Sequence, residues 1–386
     1  MRKILIIHNA YRNIGGEDVA VQNEVNFLKK NYEVRELYFD NSINPSNFFS
    51  QTISFFLNAN RKSLKLTEKA INEFQPDLAY VHNTWFKASV AIFKLLKKKN
   101  IKTVIKIHNF RYSCTKSYLI RKHLKNEETC LACGLQYQKL RIFNKYFEDS
   151  YLKSFFIILY GRSYFKVIKD DFFKLFVLTK FHKEYLSDLG IREEKVFILP
   201  NTIQINNKLQ SKSTERYLLY AGRISAEKGV DELINTFTRI SDKDLKLKII
   251  GDGPILRKIK NKYKNTSVEF IGEIPNNKVI KLIEQATAIV TATKLFEGQP
   301  TLLCEASSLG IPSIFPDTGG VKEFFPEKYQ LSYEQFNFDD LEEKLALIND
   351  KDLMSKIGKA NKKYLNNYLD SGRLLKIFQE GSGEQD

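Results

Sequence analysis

The chain has 386 residues, 43% of them hydrophobic and 27% charged, with a formal net charge of +16. That length exceeds one ordinary core and predicts two domains of a soluble globular kind. No stretch approaches the roughly eighteen uninterrupted apolar residues of a membrane-spanning helix, and four cysteines in so long a chain make no disulfide framework, which fits a reducing cytoplasm.

The N-terminal MRKILIIHNAYRNIGGED is basic and then apolar, like a signal peptide. Its apolar run is too short and no small-residue cleavage site follows, so it reads as a first strand. KILIIH (3–8) is that strand, DVAVQNEVNFLKK (18–30) a helix with Val21, Val25 and Leu28 on one face, and YEVRELYF (32–39) the next strand. DLAYVH (77–82), a helix around 88–98, KTVIKIH (102–108) and LFVLTK (175–180) continue the alternation. Residues 143–176, dense in Phe, Tyr and Lys, read as core-facing helices or as a surface that leans on lipid headgroups. A second series runs through YLLYAGR (217–223), a helix over 230–240, LKLKIIG (245–251), VEFIG (268–272), TAIVTAT (287–293) and PSIFP (312–316). The two series meet near VFILPNTI (196–203). An amphipathic helix over about 352–379 follows, and GSGEQD reads as a flexible tail. Strands alternating with helices predict parallel sheets built from βαβ units, here in two doubly wound halves.

The positive charge calls for an anionic partner: nucleic acid, an anionic membrane face or a phosphorylated substrate. Its densest run, KLLKKKNIKTVIK (94–106), carries Lys94, Lys97, Lys98, Lys99, Lys102 and Lys106 and no acid. A solvated helix end running into a strand explains that run equally well.

In open α/β sheets ligands gather outside the carboxyl ends of the strands, and several phosphate-binding devices stand there. After the first strand, Gly15 and Gly16 let the backbone approach an anion ahead of a helix N-terminus. The spacing is not G-x-G-x-x-G, which disfavours a nicotinamide or flavin dinucleotide. In GRISAEKG, Arg223 and Lys228 put two cations on one strand-end loop, a clamp for a diphosphate. IIGDGP (249–254) and TGG (318–320) are further turns at strand ends.

EGQPTLLCE (297–305) sets two carboxylates around a helix start. Pro300 suits the first helical position and Gly310 the stop, so Glu297 lies in the loop at the ligand edge and Glu305 inside the helix. A glycosidase pair has a compatible spacing but needs no diphosphate clamp. Metal ligation lacks a histidine at useful spacing. Asp242-x-Asp244 precedes its strand, at the wrong edge of the sheet, and reads as a surface turn.

AGRISAEKG, IIGDGP, VEFIGEIP and EGQPTLLCEASSLGIPSIFPDTGG, in this order, resemble the C-terminal half of the family 4 retaining glycosyltransferases. GGEDVAVQNEV, FQPDLAYVHNTW and IKIHNFRYSC…CLAC resemble the N-terminal half of a bacterial branch of it, and the likeness runs over about 1–325. The resemblance implies a GT-B fold: two Rossmann-like domains facing across a cleft, with a C-terminal helix crossing back to the N-terminal domain. It implies an acceptor-binding domain at 1–197, a nucleotide-sugar-binding domain at 198–365, the returning helix at 366–380 and the tail at 381–386. By motif, Glu305 matches the acid that binds the nucleotide ribose and Glu297 the acid at the donor sugar. Gly298, Gln299, Pro300 and Thr301 match the sugar-facing loop, with Gln299-Pro300 in place of the commoner Phe-Gly. Arg223 and Lys228, with Gly222, Gly251, Gly15 and Gly16, match the diphosphate site, Ile274 the base-holding segment and His108 the active-site histidine.

Cys130-x2-Cys133, with Cys114 upstream and His123 as a fourth candidate, is a partial structural zinc pattern; the alternative is reduced thiols in an acceptor-facing loop. The expectation is a cytoplasmic, retaining, metal-independent glycosyltransferase that needs no cofactor. It would use a UDP- or GDP-sugar and a lipid-linked or oligosaccharide acceptor in bacterial surface-polysaccharide assembly, at the inner face of the cytoplasmic membrane. A nucleotide-sugar epimerase or phosphorylase on the same fold is the nearest rival. A nucleic-acid-binding protein is the distant one, and it lacks any recognition motif.

Overall fold

β1 (Lys3–Ala10) is apolar from Ile4 to Ile7, and all four side chains are buried, with no in-out alternation. Such a strand must be covered on both faces, which is the setting of a parallel sheet between helical layers. In the computed structural model, which describes residues 1–10, 16–40, 59–85, 87–110, 112, 151–203, 215–240, 242 and 244–384, that is where it lies. β1 pairs in parallel with β2 (Glu33–Asp40) on one side and β3 (Leu78–Val81) on the other. β4 (Thr103–Ile107), β5 (Phe173–Val177) and β6 (Val196–Ile198) extend the sheet in the order β2-β1-β3-β4-β5-β6. Its helices are α1 (Gly16–Leu28), α2 (Arg61–Phe74), α3 (Ala91–Lys98), α4 (Tyr151–Lys169) and α5 (Lys180–Asp188). Asn60 and Thr179 cap α2 and α5 by accepting from the first free amides.

The second sheet is also parallel. Its strands are β7 (Tyr217–Ala221), β8 (Lys246–Ile250), β9 (Val268–Gly272), β10 (Ala288–Val290), β11 (Ser313–Asp317) and β12 (Ser332–Glu334), in the order β12-β11-β10-β7-β8-β9. Read from the other edge this is the 3-2-1-4-5-6 order of a dinucleotide fold, with its switch point between β7 and β10. α6 (Val230–Phe237), α7 (Leu256–Lys262), α8 (Asn276–Gln285), α9 (Thr301–Leu309), α10 (Phe338–Ala346) and α11 (Lys351–Tyr368) complete the unit. Two apolar clusters, one around Leu247 and Val290 and one around Leu219 and Phe315, cover the sheet.

The chain divides into Met1–Thr202 with Ser371–Asp386, and Ile203–Asp370. The amphipathic stretch expected as one helix over 352–379 is two, because α12 (Ser371–Ser382) leaves the second unit and packs on the first. Phe378 of α12 is fully buried against Tyr32, Tyr80 and Phe176, with ring centroids 5.4–5.7 Å away. The expected tail is corrected as far as Glu384. Gly381 and Ser382 belong to α12, and Glu384 pairs with Arg2 at 2.5 Å and accepts from the Tyr32 hydroxyl at 2.9 Å.

The lysine run is less of a surface than its sequence suggests. Lys97 pairs with Asp170 at 2.6 Å and Lys99 with Glu68 at 3.0 Å, while Lys106 is wholly buried. Asp242 closes its own turn by accepting from the Asp244 amide at 3.1 Å and pairs with Arg216, which makes the D-x-D a structural turn.

Candidate active site

The carboxyl ends of β7 and β10, at the switch point of the second sheet, carry the residues that stood out in the sequence. After β7 come Gly222 and an exposed Arg223, whose carbonyl accepts from the Tyr220 hydroxyl at 2.9 Å. A single 3-10 turn, Ala226–Lys228, then leads through Gly229 into α6. Gly229 sits at φ 67, and a Cβ there would lie 1.9 Å from the Ala292 carbonyl oxygen. The cationic loop is thus pressed onto the end of β10 at a contact only glycine allows.

β10 stops at Val290, and the residues expected to continue the strand as far as 293 peel away to form the acidic loop instead. Lys228 Nζ meets Glu297 Oε1 at 2.5 Å, and the Thr293 hydroxyl donates to the same oxygen at 2.9 Å. The loop backbone is held in turn. The Gly320 amide donates to the Glu297 carbonyl at 2.9 Å, the Thr318 hydroxyl to the Leu295 carbonyl at 3.0 Å, and the Lys294 amide to the Glu227 carbonyl at 2.9 Å. Lys294 also pairs with Glu232. The TGG turn after β11 therefore serves as the floor of the Glu297 loop. Lys228 and Glu297 remain part-exposed, at 31% and 26%, so solvent reaches both side chains.

Pro300 is the cap residue, one position earlier than expected, and α9 begins at Thr301; Gly310 ends it at φ 79. Gln299 is buried, and Gly298 is half-buried in the loop before it. Glu305, one turn into α9, is buried, and burial pushes its carboxyl up from 4.5 to about 7, opposed by a hydrogen bond from Asn276 at the start of α8. Ile274 lies half-buried just ahead of Asn276, and Gly251 follows β8 with its amide donating to the Gly272 carbonyl at 2.9 Å. Cys304, on α9, packs into the core, and burial pushes its thiol up.

In the first unit the switch point falls between β1 and β3, and there the structure sets beside the expected His108 two histidines that sequence reasoning missed, His8 and His82. His8 lies near the carboxyl end of β1, His82 follows β3 and His108 follows β4. His82 Nδ1 is 3.0 Å from His108 Nε2 with the rings stacked at 5.3 Å, and His8 Nε2 is 2.9 Å from Asp18 Oδ1. Beneath them lies a buried ion pair, Lys106 Nζ to Glu24 Oε1 at 2.8 Å, with the Tyr80 hydroxyl donating to the same oxygen at 2.8 Å. Burial lowers the pKa of His82 and His108 well below the ordinary histidine range; for His108 the Lys106 charge is the next cause, for His82 the neighbouring His108. Burial also lowers Lys106, against the pull of Glu24. One signal was available: KILIIH, DLAYVH and KTVIKIH each end a strand on histidine. Gly16 opens α1; Gly15 lies outside the described residues, as do Cys114, His123, Cys130, Cys133 and residues 143–150. Among the described residues no group of three or more His, Cys, Asp or Glu side chains is placed to hold a metal ion.

Residues 201–364 match the protein family described as glycosyl transferases group 1. A putative teichuronic acid biosynthesis glycosyltransferase, TuaC of Bacillus subtilis, is 30% identical over 128 residues, which cover 33% of this chain and 31% of that protein. The capsular polysaccharide biosynthesis glycosyltransferase CapM of Staphylococcus aureus is 28% identical over 213 residues, 49% of this chain and 55% of that one. The chain thus spans between 31% and 55% of the length of these relatives. Among solved structures, sucrose-phosphate synthase (tll1590) from Thermosynechococcus elongatus superposes with a TM-score of 0.71 at 14% identity, over 98% of each chain. Anabaena Alr3699/HepE in complex with UDP superposes with a TM-score of 0.68 at 13% identity, over 100% of each. At these identities the likeness is one of fold.

Proposed function

From the match of residues 201–364 to the glycosyl transferases group 1 and the GT-B fold of the chain, we propose that it moves a sugar from a nucleotide-diphosphate donor to a saccharide acceptor with retention of configuration and without a metal. The single observation behind this reading is the Lys228–Glu297 pair at the β7/β10 switch point, a cation and an acid held side by side where such sheets receive nucleotides. Lys228 and Arg223 take the diphosphate, Glu297 and the loop Gly298–Thr301 face the sugar, and Glu305 takes the ribose hydroxyls beside the Ile274 backbone. His108 serves as the active-site histidine.

Breaking the anomeric C–O bond builds positive charge on the sugar and negative charge on the departing diphosphate. Lys228 and Arg223 stabilise the second, a role for preorganised protein cations that needs no metal. Attack on the face that the diphosphate leaves retains configuration, and no enzymatic nucleophile is assigned. UDP is the first donor to test, because Alr3699/HepE was solved in complex with UDP-glucose. The names of TuaC and CapM support an acceptor in surface-polysaccharide assembly, which we take to be lipid-linked and met at the inner face of the cytoplasmic membrane.

The test is a thermal-shift titration with UDP- and GDP-sugars in EDTA, since a ligand of the folded state raises the melting temperature, followed by turnover of Lys228→Ala. Loss of one preorganised donor should cost about 2–4 kcal/mol in kcat/KM. Near-normal turnover of saturating donor by the variant would remove Lys228 from the reaction.

A further inference from the structure

The contact between His82 and His108 has only one proton to share. Both rings are held neutral by burial, so each carries a single N–H, and the 3.0 Å approach of His82 Nδ1 to His108 Nε2 requires that one nitrogen donate and the other accept. His82 is 1% exposed, and its other nitrogen, Nε2, is buried with no hydrogen-bond partner among the described residues. If His108 donated, His82 would carry its proton on that buried Nε2, an orphaned N–H, which is the rarer and costlier defect. If His82 donates from Nδ1, its Nε2 is only a bare acceptor. The second arrangement puts the proton of His108 on Nδ1. His108 itself is partly exposed, so this nitrogen is the one left to meet a ligand.

We propose that His82 is a positioning residue that locks His108 as its Nδ1–H tautomer, so that His108 presents a hydrogen-bond donor, not a base, to an oxygen of the sugar substrate. The substrate half of this statement rests on the proposed glycosyl transfer; the tautomer half does not. The surroundings hold the pair in place: the Tyr80 ring packs 4.5 Å from His82, and the Tyr80 hydroxyl is tied to the buried Glu24–Lys106 pair. Lys106, on the strand that precedes His108, also opposes a second proton on either ring. A permanent donor at this position suits an oxygen lone pair and leaves proton abstraction from the acceptor to another group.

Long-range ¹⁵N–¹H correlation spectra of the full chain, labelled at histidine, read the tautomers directly, with His82→Asn and His108→Asn giving the assignments. The expected result is that both His82 and His108 carry the proton on Nδ1. An Nε2–H pattern for His108 overturns the proposal whatever the enzyme does. His82→Phe, which keeps a ring but removes the donor, should shift His108 toward Nε2–H and lower kcat about tenfold with little change in donor KM, on the scale of one hydrogen bond. His82→Asn, whose amide N–H replaces Nδ1–H, should recover both the tautomer and most of kcat, and circular dichroism checks that each variant is folded. An Asn variant as impaired as Phe overturns the donor role. A wild-type Nδ1–H signal together with full turnover by His108→Ala, which has no donor at this position, would leave the tautomer assignment standing and remove His108 from the reaction.

Discussion

Glu305 shows how much a single residue's burial can decide. A carboxyl buried in a helix and hydrogen-bonded by Asn276 is poorly solvated, and its pKa rises to about 7. The folded state therefore holds this proton more tightly than the unfolded chain does. Stability from this group is fully present below about pH 4.5 and is lost as pH rises toward 7, a total of about 3 kcal/mol by linkage. Glu305→Gln should abolish that loss, so urea denaturation at pH 5 and pH 8 should show wild type falling relative to the variant. Nucleotide binding through the ionised carboxylate would release the proton, and calorimetry at pH 7 in buffers of different ionisation enthalpy should detect it. Equal pH dependence in both proteins would show that Glu305 is already ionised in the free state.

At the scale of elements, the site depends on where strands stop. TAIVTAT reads as a continuous strand, yet β10 keeps only Ala288–Val290: the Thr291 amide still donates to the Ile314 carbonyl at 2.9 Å, and the residues after it carry Glu297 over the TGG turn. Gly319 in that turn has φ 56, and a Cβ on it would lie 2.3 Å from the Glu297 carbonyl oxygen. Gly319→Ala should therefore displace the acidic loop and destabilise the second unit by about 1–3 kcal/mol. Chemical denaturation and donor titration should both register it; an unchanged donor affinity would detach the turn from the site. Other departures have local causes. β12 (Ser332–Glu334) is too short to show alternation, and α11 and α12 share an apolar stripe that hides the break at Leu369–Asp370 from any periodicity argument.

For the whole molecule, the connectivity makes the last helix part of the first unit. Phe378 lies between Tyr80 and Phe176, and Tyr80 in turn tethers Glu24 below the histidines. Phe378→Ala should cost about 3–5 kcal/mol, lowering the first unit's transition in calorimetry while leaving the second's in place; an unshifted first transition would mean that α12 contributes nothing to that unit. The net charge of +16 is likewise a property of the whole chain. Membrane docking by charge predicts binding to anionic but not neutral vesicles, with release as the screening length shrinks from about 10 Å at 0.1 M salt to about 3 Å at 1 M. Salt-resistant binding would point to inserted aromatic side chains instead.

Much of the candidate site in the second unit was legible because it is local: Arg223, Lys228 and Glu297 lie in loops after strands and Glu305 in the first turns of a helix, and strand-end loops announce themselves by glycine, proline and charge. The alternation of strand and helix by itself determined the two parallel sheets. Only the tertiary structure decided strand order, and with it which distant residues become neighbours. The order β1-β3-β4 sets His8, His82 and His108 side by side, and the turn of β4 that sends Lys106 inward to Glu24 converts one member of a surface-like lysine run into a buried charge. Pairing across a sheet is a non-local event, and periodicity along the chain carries no record of it.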